Sequence, residues 1–135
     1  MPSGLVVATA LQLGRYGVAW GCVGIGEAAA AAAYRYSRER RQFGSPISDH
    51  QLIRRVLTDM RVDTKAARLL CLEAGVLAQD RKPEAVESIF IAKYFASRMA
   101  NRVSNDALQI HGAAGASREH DVERFGVDAS DIFTQ

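Results

Sequence analysis

The sequence predicts an all-α fold: an up-and-down helical bundle of three long helices plus a shorter C-terminal one, with residues 1–135 forming a single domain. Three observations carry this. Alanine, the best helix former, runs unbroken from Ala28 to Ala33. Apolar residues recur at steps of three, four or seven over three long segments, and no segment alternates apolar and polar residues over a strand's length. The connections between the segments are short, which suits antiparallel neighbours in a bundle.

The first segment places Leu11, Val18, Cys22, Ile25, Ala29, Ala32 and Tyr36 along one face. Gly14, Gly17, Gly21, Gly24 and Gly26 each weaken a helix by up to ~1 kcal/mol against Ala, so their number predicts tight contacts along it with a helix or a ligand. The second segment opens on Ser48-Asp49-His50-Gln51, which fits a capping box in which Ser48 and Gln51 satisfy each other's amides. Leu52, Val56, Met60, Ala67, Leu70, Ala74 and Leu77 follow, and Asp80-Arg81-Lys82 ends the run. Pro83 suits the first turn of a third helix whose stripe is Val86, Phe90, Ala96, Ala100, Val103, Ala107 and Ile110. His111-Gly112-Ala113-Ala114-Gly115 stops it, and Ser117 is placed to cap a short fourth helix reaching about Phe125.

Composition excludes several function classes. With 48% hydrophobic and 24% charged residues, the chain can bury one apolar core. Lys+Arg number 17 against 15 Asp+Glu, a net charge of +2, which is no basis for a dedicated nucleic-acid binder. No apolar run approaches the ~18 residues of a membrane span. No basic stretch precedes an apolar core at the N-terminus, so the expected location is cytosolic. Cys22 and Cys71 are too few for a metal cage and read as small core residues rather than redox groups.

No standard catalytic constellation appears. His50, His111 and His120 lie far apart without metal-ligand spacing, so they read as structural or surface groups and no metal is expected. Two loops resemble anion sites. Arg38, Arg40 and Arg41 crowd the first turn, where guanidinium groups can grip phosphate with two donors each and Phe43 can stack on or cover a planar ring. The alternative is a solvated basic loop with Phe43 plugging the core. At the second loop, Gln109 offers an amide and Gly112 and Gly115 allow close backbone approach; the alternative is a helix-ending glycine. Glu27, Asp59 and Lys93 read as structural pairs or surface charges.

These residues carry a resemblance. Arg40-Arg41-Gln42-Phe43-Gly44-Ser45-Pro46-Ile47, then Gln51, is similar to the R-x-x-F-G-x-x-I…Q segment of acyl-CoA dehydrogenases. Ala92-Lys93-Tyr94-Phe95-Ala96-Ser97, followed by Asp106-Ala107-Leu108-Gln109-Ile110-His111-Gly112, resembles their last long helix and its glycine-rich exit. Val122-Glu123-Arg124…Asp128-Ala129 is similar to the V-E-R-x-x-R-D-A segment that follows. The pieces stand in register over nearly the whole chain.

The resemblance implies the C-terminal bundle of a FAD-dependent flavoprotein that dehydrogenates acyl thioesters at Cα–Cβ, on CoA or a carrier protein. It implies upstream domains or a partner subunit, since the chain is too short for a full-length member, and self-association as a dimer or tetramer with FAD shared across the dimer interface. Residue by residue, Arg40 would contact the FAD pyrophosphate of a neighbouring subunit, and Phe43 and Gln51 would serve the same site. Gln109, Ile110, His111, Gly112 and Ala113 would line the adenosine-diphosphate part, and Arg15 would stand at the substrate pocket or be an ordinary helix charge. The family's catalytic Glu would fall after Gln135; where members carry it on the first helix, Gly14 stands here, so no catalytic residue is expected within the chain. Ala113 replaces a usual glycine, and Gly126-Val127 replaces an aromatic–Arg pair. The second function considered is a non-catalytic assembly module descended from that family.

Overall fold

The computed structural model describes residues 3–116 and 122–133. Four helices dominate it: α1 (Ser3–Glu39), α2 (Gln51–Gln79), α3 (Ala85–His111) and α4 (Val122–Phe133). Between α1 and α2 lies a minimal hairpin, β1 (Arg41–Gln42) and β2 (Ser45–Pro46), followed by a 3₁₀ turn at Ile47–Asp49; a second 3₁₀ turn, Gly112–Ala116, follows α3. The all-α expectation holds, with four helices in the expected order. Ser117 and His120 lie outside the described residues, and α4 continues past Phe125 to Phe133.

Side-chain pairs give the helix directions. Tyr16 donates to the Cys71 carbonyl and Glu27 pairs with Arg68, so α1 and α2 run antiparallel. Arg15 lies over Phe90 and Tyr36 stacks on His111, so α1 and α3 run parallel. The α2–α3 pairing is closed by the Asp63–Arg102 ion pair.

The core is made of small residues, which explains how the helices approach. Ala19, Cys22, Val23, Gly26, Ala29, Ala33 and Ser37 form the buried stripe of α1. Met60, Thr64, Ala67, Cys71 and Ala74 form that of α2. In α3 the stripe is Ala85, Ile89, Ala92, Ala96, Met99, Ala100, Val103, Ala107 and Ile110, with Ser97, Ser104 and His111 also buried. Met60 and Met99 are the largest side chains fully enclosed.

Several details differ from the sequence reading. Leu11, Leu52, Val86 and Phe90 are exposed, because these helices carry a second apolar face outside the bundle and the expected stripe falls partly on it. Of the five glycines singled out in α1, only Gly26 has the expected tight contact: a Cβ there would run into the Met99 thioether. Gly14, Gly17, Gly21 and Gly24 meet nothing within 4 Å. The capping box does not form; His50 is the cap of α2, with no side-chain cap bond, because Ser48 is taken into the 3₁₀ turn. Pro83 sits in the turn before α3, which begins at Ala85. The stop at Asp80-Arg81-Lys82 is a Schellman ending: the Lys82 and Arg81 amides donate to the Leu77 and Ala78 carbonyls at 2.9 and 3.1 Å, with Arg81 at φ 53°.

Cys22 and Cys71 are both fully buried, as expected of core residues. Burial pushes both thiols up, Cys71 to about 11, with the neighbouring Cys22 adding to its shift. A thiol that keeps its proton in the fold but sheds it when unfolded makes stability fall as pH rises, here between the ordinary value of 9.0 and about 11. Both cysteines are therefore expected to resist a thiol reagent at pH 8 and to react only on unfolding. Rapid labelling of the native chain would contradict this.

Candidate functional site

The site begins where α1 ends. The Arg40 amide donates to the Tyr36 carbonyl at 2.9 Å, and the Arg40 carbonyl accepts from the Ile47 amide at 2.8 Å. Arg40 is thus fixed by its main chain on both sides, while its side chain is exposed and holds no hydrogen bond or ion pair among the described residues. Beyond it, Arg41 pairs with Pro46 and Gln42 with Ser45 in a two-residue hairpin. The turn residues Phe43 and Gly44 have φ of 55° and 82°. Two positive φ values match the twist of a tight hairpin, but a bulky residue in that region is strained.

Phe43 is 95% exposed. The alternative in which it plugs the core is thereby overturned: the hairpin turns it outward. Its ring meets His50 edge-on at 6.1 Å, and the His50 Nε2 lies 3.1 Å from the Gln42 carbonyl oxygen. Arg41 donates to the Gly44 carbonyl at 2.9 Å, which bends its guanidinium back onto the turn. Of the crowded arginines, all exposed, Arg38 lies over the Tyr34 ring at 5.7 Å and Arg41 is bent onto the turn, which leaves Arg40 as the one with no side-chain contact among the described residues. Gln51, the first residue of α2, is exposed beside the same turn.

The second half lies at the end of α3. Gly112 caps the helix with φ 58°, where an L side chain would be strained, and its amide is spent on the Gln109 and Leu108 carbonyls. The bend therefore presents open main chain, but the Gly112 N–H is already satisfied. Gln109, Gly112 and Ala113 are exposed. Ile110 and His111 are 7% and 4% exposed, so their side chains belong to the core and not to a lining.

The two halves meet at one end of the bundle. The Tyr36 ring stacks on His111 with centroids 4.3 Å apart and planes 24° apart. Tyr36 lies one helical turn before Arg40, about 6 Å along the axis, and His111 directly precedes Gly112. Neither Tyr36 nor His50 is a site residue by sequence reasoning; the signal for Tyr36 is its place one turn before Arg40.

Arg15 stands apart, roughly 30 Å from Tyr36 along the same helix. It is half-buried, with its guanidinium 4.6 Å from the centre of the Phe90 ring. Glu27 pairs with Arg68 at 3.0 Å, the structural role expected of it. A groove of about 750 Å³ between α1 and α2, lined by residues including Tyr34, Leu57 and Arg61, contains none of the candidate residues. Burial raises the Asp106 carboxyl, partly offset by Arg102, with Asp59 and Asp63 adding to the rise. Among the described residues no group of three or more His, Cys, Asp or Glu side chains could hold a metal, and no helix is long and apolar enough to cross a membrane.

Comparison with known proteins places this geometry. Residues 3–130 match the model of the acyl-CoA dehydrogenase C-terminal domain. The chain is 44% identical over 119 residues to the probable acyl-CoA dehydrogenase YngJ of Bacillus subtilis, covering 88% of this chain and 31% of that protein. It is 39% identical to CarC, a subunit of the caffeyl-CoA reductase–Etf complex of Acetobacterium woodii, over 92% of this chain and 32% of that one. Butyryl-CoA dehydrogenase from Megasphaera elsdenii has the same architecture, with a TM-score of 0.89 and 42% identity over 92% of this chain and 32% of that structure. The chain thus spans about a third of the length of the relatives it matches.

Proposed function

Because the chain belongs to the acyl-CoA dehydrogenase family, as its C-terminal domain, we propose that it supplies part of the FAD site and the self-association surface of a cytosolic, FAD-dependent acyl-thioester dehydrogenase. The observation that carries this is the exposed Arg40 guanidinium, unpaired among the described residues, on a clamped loop at the same end of the bundle as the open Gly112 bend. The donor set suits a dinucleotide: a guanidinium for the diphosphate, the Gln51 and Gln109 amides for polar edges, an outward aromatic ring, and main chain that a ligand can approach.

FAD held by these residues would supply the hydride-accepting chemistry of the acyl-thioester oxidation. This chain's residues bind and orient. Arg40 neutralises the diphosphate, Phe43 covers the nucleotide, and Gln51 hydrogen-bonds beside it. The Gln109–Ala113 stretch shapes the adenosine-diphosphate pocket, with Ile110 and His111 acting from beneath through the backbone. Arg15, far along α1, serves the thioester end. Gly14 occupies the helix position before Arg15, so α1 offers no proton-abstracting carboxylate there.

Self-association is supported by apolar residues left outside the bundle. Val62, Leu69, Leu72 and Val76 line the outer side of α2, and Val86, Phe90, Ile91 and Tyr94 that of α3. The second reading, a non-catalytic assembly module, draws on Gly14, on Ala113 and on Gly126-Val127. The test is to assemble the chain with the domains its relatives carry and add FAD and a saturated acyl-CoA. Bleaching of the oxidised-flavin absorbance supports the dehydrogenase. Bound flavin that never bleaches supports the module, and an assembly that binds no flavin defeats both cofactor readings.

A further inference from the structure

We propose that the Tyr36–His111 ring stack is a spacer clamp, setting the distance between the Arg40 loop and the Gly112 bend, and that Tyr36 is a positioning residue for the nucleotide cofactor. The inference rests on the FAD reading of this end of the bundle and adds a residue that joins the two halves, bonded through its carbonyl to Arg40 and stacked on His111.

Each loop is registered on one of the two rings. On the α1 side, Tyr36 contributes the carbonyl that receives the Arg40 amide at 2.9 Å, so a displacement of this turn carries Arg40 and the hairpin with it. On the α3 side, His111 is held against its own helix, its Nδ1 2.8 Å from the Ala107 carbonyl oxygen. The following 3₁₀ turn folds back over it: a Cβ on Gly115 would stand 3.0 Å from the His111 Cβ and 3.0 Å from the Leu108 carbonyl oxygen. The bend therefore takes its position from His111. The face-to-face rings, 4.3 Å apart, join the two registers between helices whose cofactor-facing loops are some 70 residues apart in sequence.

A ligand that touches both loops binds tightest when their spacing is set beforehand, because ordering two independent elements on binding subtracts from affinity. Reaction rates show how sharply paired groups depend on spacing, a misplacement near 1 Å costing as much as about 100-fold. A flat stack suits this role, because it resists sliding less than a bond would but fixes the approach of the helices in the stacking direction.

The experiment uses the assembled flavoprotein and measures FAD dissociation constants for Tyr36→Leu, Tyr36→Phe, Arg40→Ala and the Tyr36→Leu/Arg40→Ala pair, with the melting temperature of each flavin-free form. Tyr36→Leu is expected to weaken FAD roughly 10-fold and Tyr36→Phe, which keeps the stack, to stay near wild type. With Arg40 already gone, the Tyr36→Leu penalty should shrink, since the charged contact that the spacing aligns is lost. Equal penalties with and without Arg40, a Phe variant as weak as Leu, or wild-type affinity in Tyr36→Leu would each overturn the clamp. If Tyr36→Leu does not fold, His111→Gln, which removes the ring but keeps a polar partner for Ala107, must show the same dependence on Arg40. Should Arg40→Ala itself leave FAD affinity unchanged, the FAD reading fails and the clamp with it; a weakened Arg40→Ala beside an unaffected Tyr36→Leu removes the clamp alone.

Discussion

Arg40→Ala is expected to weaken FAD binding by the assembled flavoprotein on the order of 10- to 100-fold, the range set by one hydrogen-bonded charge pair. The side chain is exposed and holds nothing within the described chain, and its backbone bonds to Tyr36 and Ile47 survive truncation. The melting temperature of the flavin-free protein should therefore stay put while the affinity drops, which separates a cofactor contact from a structural one. Arg40→Lys should fall between, because an ammonium keeps the charge but loses the paired, planar donors. Raising ionic strength should narrow the gap between wild type and Arg40→Ala, since an exposed guanidinium is screened by salt. Flavin titration followed by fluorescence reads all three, and an affinity independent of residue 40 would remove the guanidinium from the site.

Met99→Ala is expected to cost about 2–5 kcal/mol, the usual range for truncating a large buried side chain. Met99 is 1% exposed and its thioether fills the space that Gly26 leaves open on α1. Few side chains this large are fully enclosed, and about half of the buried hydrophobic residues are Ala, so neighbouring helices already stand close and have little freedom to collapse further. A melting temperature lower by about 10 °C is the expected reading for a domain of this size. The Gly26→Ala/Met99→Ala double variant should recover part of the loss, because the new methyl enters the vacated space and alanine is the better helix former. Gly26→Leu with Met99 intact should instead destabilise by about 1–3 kcal/mol through overpacking. A Met99→Ala chain that melts like wild type would mean that α1 and α3 do not meet at Gly26.

The helices themselves are legible because alanine runs and three-and-four spacing leave few alternatives, and the stop at Asp80-Arg81-Lys82 is where the sequence puts it. Which face turns inward is harder to read. Val86 and Phe90 have the same periodicity as Ala85, Ile89 and Ala92, and only packing distinguishes a core stripe from an outer apolar stripe one residue away. The glycines of α1 show the same limit: a missing side chain marks room for a neighbour, but only at Gly26 does this chain supply one. In the site, Arg40 and Gly112 are identified through the family resemblance, whereas their proximity depends on α1 and α3 running parallel, which no local pattern encodes. Phe43 is ambiguous for a related reason. A phenylalanine beside a basic loop reads equally as a plug or a cover, and the positive-φ hairpin that turns it outward lacks the usual Asn-Gly signature.

The most direct test is a structure of the assembled protein with FAD bound. The Arg40 guanidinium should stand within hydrogen-bonding distance of a pyrophosphate oxygen, with the residues around Gly112 packed against the same FAD molecule and the Tyr36–His111 stack intact between them. Flavin seated elsewhere, with Arg40 and the Gly112 bend both in solvent, would refute the cofactor role of this end of the bundle.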